Sequence, residues 1–259
     1  MNGSRNLIVN RGTPPFDNPE LRHAMSLTLD RQAFIDIIGQ GHGAIGGPME
    51  PPPEGLWGMP AEMLKALPGY GPDIAQRRAK ARHIMETLGY GADKRLAVTV
   101  AARNVPPWRD PALILIDQLR EIYIDGELEP VDTTQWYPRL MRKDYKVGLN
   151  VTESEVDDPD AQFYENYKCG ALCNYSGYCN ESVEELIDRQ SREMSTDKRR
   201  QLVWQIERQL IEEDARPDIF YVRGITCRRP YVKDLISMAT ASTMARASRT
   251  SGSTNSAVR

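Results

Sequence analysis

The chain has 259 residues, 33 of them basic and 36 acidic, for a formal net charge of −3, and 40% of its residues are apolar. So weak an acidity leaves no basic footprint for nucleic acid or an anionic membrane surface, and no apolar run approaches the roughly 20 residues that span a bilayer. The length suffices for one large domain or two small ones, with a substantial core.

The first residues, Met1-Asn2-Gly3-Ser4-Arg5, hold no apolar stretch of the kind a secretory signal carries. Residues 6–10 predict a short strand, and Pro14-Pro15 breaks the chain after it. Asn18-Pro19-Glu20 is a helix start: a capping side chain, a proline at the first helical position and an acid in the first turn. That helix runs toward Leu29. Asp30 caps a second, ending near Gly39, and residues 39–60, rich in glycine and proline, predict a loop. Asp73 caps a helix whose Ala81, Ile84, Met85 and Leu88 follow the 3.6 period, with Gly89 placed to end it. Leu96, Val98 and Val100 alternate, so 95–101 is a predicted strand. Asp110-Pro111 opens the next helix, and a short strand covers Leu128 to Val131. A helix follows over Thr134 to Arg142, then an alternating strand over 145–151. Asp158 is the N-cap of a short helix through Tyr164, Asn180 caps another, Ser195 or Thr196 a third, and Ile219 to Val222 is a strand. Strands and helices alternate throughout 73–151, which favours an α/β sheet with helices packed on it. Residues 239–259 are rich in Ala, Ser, Thr and Arg and read as a disordered tail.

Little in the chain points to catalysis. Neither a P-loop nor a G-x-S-x-G is present, and the glycine-rich Gly39-Gln40-Gly41-His42-Gly43 ends a helix instead of opening one, so it is no phosphate cradle. His23, His42 and His83 have no partners at metal-binding spacing. The sharpest polar feature is the acidic run from Glu153 to Asp160, which begins where the strand 145–151 ends. Ligands collect at strand ends in open α/β sheets, but helix-capping acids in a solvated loop explain the same run. Arg103 ends the strand 95–101, where it either clamps a carboxylate bidentately or is simply solvated. Cys169, Cys173 and Cys179 cluster at a spacing foreign to zinc ribbons. By spacing alone they are either unpaired thiols or a disulfide closing a short loop.

Several segments together resemble the dipeptide, oligopeptide and nickel class of ABC-importer solute-binding proteins, family 5. They are Pro15-Phe16-Asp17 through Leu21-Arg22-His23-Ala24 with Asp30-Arg31, and Ala79-Lys80 through Leu88-Gly89-Tyr90. Val147 to Asn150 with Asp158-Pro159-Asp160 is a third, and Asn174-Tyr175-Ser176 through Cys179-Asn180 a fourth. Each motif is weak alone; the ordered set, over about 10–235, is specific.

The resemblance implies a type II periplasmic-binding-protein-like α/β fold, of which this chain would be the second lobe, with a mixed sheet flanked by helices. It places residues 1–12 at a crossover strand or hinge, 13–225 in the lobe and 226–242 in a return toward the first lobe. Residues 243–259 are then a disordered or frameshifted tail, since a back-translation of them in a neighbouring frame spells the aromatic-containing ending the family carries. The chain would be the C-terminal half of a longer periplasmic precursor, monomeric when complete. Its expected partners are a peptide or another small solute and ABC permease subunits, with no nucleic acid, metal, cofactor or catalytic residue. Arg103 matches the family's carboxylate-binding arginine. Glu155 stands where the ammonium-binding aspartate is expected and Thr152 where a tryptophan is expected; both departures relax strict dipeptide specificity. Asn150, Thr152 and Asp157 complete the expected ligand contacts. The family's cysteine pair falls on Cys169 and Cys179 and leaves Cys173 and Cys227 free. Nickel chelates, opines or a non-transport receptor role are alternatives within the fold. A cysteine hydrolase built on Cys173 or Cys227 lacks histidine and acid partners.

Overall fold

The computed structural model describes residues 3–153, 156–223 and 229. The segments 226–228, 230–242 and 243–259, and with them Cys227, lie outside the described residues, as does Glu155.

The capping chemistry acts as expected. β1 spans Ser4–Val9, and α1, Pro19–Leu27, begins where Asn18 accepts the Glu20 N–H at 2.9 Å. α2, Arg31–Ile38, is capped by Asp30. The Gly/Pro-rich stretch holds two short elements that its composition hid, β2 (Gly43–Ala44) and α3 (Ala61–Leu64). α4, Ile74–Thr87, is capped by Asp73 and followed by Gly89 at φ +84°, the left-handed conformation that ends helices without a Cβ clash. After β3, Leu96–Arg103, comes the main correction. α5 runs Pro106–Arg120 and does not wait for Asp110-Pro111. Pro106 and Pro107 fill the first helical positions, where no N–H is needed, and Pro111 forfeits one internal hydrogen bond. The buried face of Ala112, Leu115, Ile116 and Leu119 holds the helix together nonetheless. β4, Ile124–Val131, is longer than the 128–131 expected. It is an edge strand, so Asp125, Glu127 and Glu129 sit in it without charge burial. Then follow α6 (Thr133–Met141), β5 (Val147–Thr152), α7 (Pro159–Asn166, capped by Asp158) and α8 (Glu181–Arg192, capped by Asn180). α9 (Thr196–Glu212) has no side-chain cap, against the Ser195 or Thr196 expected, and β6 (Asp218–Val222) closes the set.

The six strands form one mixed sheet in the order β2-β6-β1-β5-β3-β4. β1 runs antiparallel to β5 and β6, whereas β3 is parallel to both β4 and β5. One face carries the larger core, where Leu7, Val9, Val100, Val147, Leu149 and Ile219 meet residues of α1, α2, α4 and α5. On the other face Trp136 and Leu140 of α6 pack with Ile8, Ala101 and Tyr145. A separate cluster joins α7, α8 and α9 through Phe163, Val183, Ile187, Val203 and Ile206. Gly148 is forced by packing: an added Cβ would stand 2.8 Å from the Ala101 carbonyl oxygen.

Candidate functional site

From β3 the chain crosses by α5 to β4 on one side, then returns by α6 to β5 on the other. The carboxyl ends of β3 and β5 therefore flank the point where the strand order reverses, which is where open α/β sheets leave a crevice for ligands. The last residues of these strands are Arg103 and Thr152.

Arg103 is half-buried and held on two sides. Its Nε donates to Thr133 Oγ1 at 3.2 Å, and its guanidinium carbon lies 4.8 Å from the centre of the Trp108 ring. Thr133 opens α6 and Trp108 lies near the start of α5, so both helices that begin at this edge of the sheet touch the same side chain. Tyr137, on α6 and 40% exposed, shows what else converges here. Burial pushes its hydroxyl above the ordinary tyrosine value; the positive Arg103 opposes the rise, and Glu153 and Cys173 add to it. Glu153, the residue after β5, is exposed and lies over Gly3.

Other expected contacts are already engaged within the fold. Asn150 is buried, and its Oδ1 accepts the Trp136 indole N–H at 3.3 Å. Thr152 Oγ1 accepts from Asn6 Nδ2 at 2.9 Å. Asp157 anchors the rim. Its Oδ2 accepts the Leu56 N–H at 2.8 Å, its carbonyl accepts the Trp57 indole N–H at 3.0 Å, and burial raises its carboxyl above the usual value. Next to it, burial would raise Asp158 too, but the Arg199 fork at 2.8 and 3.1 Å and the Asp160 N–H bring it below the usual range. The Asp157-Asp158-Pro159-Asp160 run is in this way nailed to the Gly/Pro-rich loop and to α9. Glu155 lies outside the described residues.

Arg103 and Thr152 end the adjacent parallel strands β3 and β5, Asn150 lies buried two residues before Thr152, and Asp157 follows five residues after it. Reading of the sequence missed Tyr137, Trp108 and Thr133, since their nearness to Arg103 comes from two helix starts meeting across the sheet. Glu153 was visible only as part of an acidic run. The disulfide between Cys169 and Cys179 is formed, and Cys173 is a free, half-buried thiol.

Around β6 lies a buried polar network. Ser4 Oγ donates to Asp218 Oδ1, Arg31 Nε donates to the Asp218 carbonyl at 2.7 Å, and Arg216 lies over the Tyr167 ring. Burial pushes Asp218 up to about 7, against the opposing pull of Ser4, Arg216 and Arg31. Glu207 of α9, also enclosed, is pushed up to about 8, against the pull of the Met49 and Met59 amides. Among the described residues no cluster of His, Cys, Asp or Glu could hold a metal ion, and no helix is long and apolar enough to cross a membrane.

The profile of the bacterial extracellular solute-binding proteins, family 5 (middle region), matches residues 1–172. The chain belongs to this family. Among curated relatives, it is 27% identical over 186 residues to the probable D,D-dipeptide-binding periplasmic protein DdpA of Escherichia coli, covering 70% of this chain and 33% of that one. It is 26% identical over 206 residues to the di/tripeptide-binding protein 1 of Pseudomonas aeruginosa, covering 77% and 36%. The chain thus spans about a third of the length of these relatives. Its fold is that of the type II binding proteins. OppA of Burkholderia pseudomallei superposes with a TM-score of 0.74 at 17% identity, over 85% of this chain and 43% of that one. The Helicobacter pylori DppA, solved in complex with the peptide STSA, gives a TM-score of 0.71 at 17% identity over 85% and 42%.

Proposed function

We propose that this chain is the second lobe of a periplasmic solute-binding protein that captures short peptides and delivers them to the permease subunits of an ABC importer. The observation that carries the reading is Arg103 at the carboxyl end of β3, held by Thr133 Oγ1 and Trp108 beside the strand-order reversal. A fixed cation at the end of β3, with the exposed carboxylate of Glu153 following the neighbouring strand β5, suits a ligand with a carboxylate at one end and an ammonium at the other, with backbone hydrogen bonds holding the extended chain between. The names of the relatives, which are those of peptide-binding periplasmic proteins, support this ligand class. Residues 13–225 form the lobe in this reading, and residues 1–12 and 226–242 are its crossings to the other lobe. The pairing of β1 with β6 supports that division, because it sets the first and last described strands of the chain side by side. The protein acts as a binding module without cofactor or catalytic residue, closing by a hinge over its ligand.

Calorimetry of the full-length protein against alanyl-alanine, trialanine and pentaalanine tests the reading. Heat of binding with at least one peptide is expected. Silence with all three, together with heat from a nickel chelate, overturns it in favour of a metal-uptake role.

A further inference from the structure

The arginines of this fold differ in how their charge is spent. Arg5, Arg11 and Arg31 donate to backbone carbonyls of their own fold, and Arg199 forks onto Asp158. Arg103 does neither. Its single hydrogen bond among the described residues uses Nε, the inner nitrogen, and goes to the neutral hydroxyl of Thr133. Its planar face lies over Trp108. No carboxylate of the described residues forms an ion pair with it. The two contacts fix different freedoms: the Nε bond sets the direction of the side chain, and the ring fixes the guanidinium plane. Neither terminal nitrogen makes a hydrogen bond among the described residues. An arginine normally surrenders much rotamer freedom when it grips an anion, and here that freedom is already lost.

We infer that Thr133 and Trp108 are positioning residues that pre-orient Arg103 as a bidentate fork for the terminal carboxylate of the ligand, and so make the site selective for free acids over amides. The inference rests on the peptide reading above, with Arg103 as its carboxylate-binding residue, and adds to it two residues that need not touch the ligand. Geometry separates it from a plain charge effect. A lysine at 103 keeps the charge but has no planar fork to match two oxygens. Loss of the Thr133 hydroxyl frees the direction of the side chain without altering any charge. A phenylalanine at 108 keeps a stacking face, whereas a leucine does not.

The test uses the full-length protein and whichever of alanyl-alanine, trialanine and pentaalanine binds most tightly, as the free acid and as its C-terminal amide. The wild type is expected to prefer the acid by about tenfold or more, the scale of a hydrogen bond to a charged group. R103K, T133V and W108L each lower that preference by about fivefold or more while the affinity for the amide holds, and T133S and W108F restore it. Equal wild-type affinity for acid and amide overturns the inference. So does a preference that survives in T133V and W108L, or a parallel fall for both ligands, which marks a merely structural role. Absence of binding to any of the peptides removes the peptide reading itself, an outcome distinct from peptide binding that ignores the carboxylate.

Discussion

Replacing Glu207 by glutamine isolates the electrostatic cost that α9 carries into the interior. Glu207 is fully buried; one oxygen accepts the Met49 N–H at 3.0 Å and the other has no partner. Burial raises its carboxyl from 4.5 to about 8. The folded state therefore keeps a proton that the unfolded chain gives up, and stability falls with rising pH. The contribution is complete below pH 4.5 and is lost as the pH rises through about 8. At about 1.4 kcal/mol for each unit, the whole span comes to about 5 kcal/mol. Water entry and local relaxation reduce this to about 2–3 kcal/mol, because charged interiors respond with an effective dielectric well above that of dry protein. Glutamine stays neutral at every pH and keeps the acceptor for Met49, but it introduces an amide N–H where no acceptor waits, at a cost of about 1 kcal/mol. Urea unfolding followed by circular dichroism is the assay. The variant is expected to be less stable than the wild type by about 1 kcal/mol near pH 5 and more stable by about 2 kcal/mol near pH 9, with unchanged m-values. Asp218, raised to about 7 by the same burial, titrates in both proteins and leaves the difference nearly untouched. A difference that stays constant from acid to alkaline pH would refute the reasoning.

Two further outcomes are expected. Reduction of the Cys169–Cys179 bridge, or its replacement by serines, opens a loop with a sequence separation of 10. It lowers stability by about 3 kcal/mol on the chain-entropy account, and titration of the native, unreduced protein finds no more than two thiols; four reactive thiols contradict the bridge. Asp157→Ala removes the acceptor of the Leu56 N–H and loosens the rim of the crevice, lowering stability by about 1 kcal/mol. It also weakens peptide binding measured by calorimetry, and unchanged values of both would show that the rim contact carries nothing.

The sequence by itself determined most of the secondary structure, because its signals are local. Asn18, Asp30, Asp73, Asp158 and Asn180 cap the helices they precede, since a cap needs only a side-chain oxygen within a few residues of an orphan N–H. The alternation of Val98 and Val100 and the period of Ala81 and Met85 likewise record a buried face within one element. The start of α5 was misplaced for a local reason too: Asp110-Pro111 is a good helix opening, and only the packing of α5 on the sheet makes Pro106-Pro107 the true one. The disulfide and the family were legible through a resemblance of ordered motifs, which spacing alone could not replace.

Tertiary structure decided which of the candidate residues are consumed by contacts inside the fold and which keep hydrogen-bonding capacity to spare. In the sequence, Asp157 and Arg103 are equally plausible polar residues at strand ends. Once folded, Asp157 gives its side-chain oxygen to Leu56 and its carbonyl to Trp57, 101 and 100 residues away, whereas Arg103 is steadied by Thr133 and Trp108 with its terminal nitrogens unspent. Glu207 looks like any polar residue of an amphipathic helix until the loop from 46 to 59 closes over it and turns a solvated carboxylate into a proton-binding one. The physical reason is the same for all three. Hydrogen-bond partners and desolvation are set by segments remote in the chain, and no local pattern encodes who will arrive.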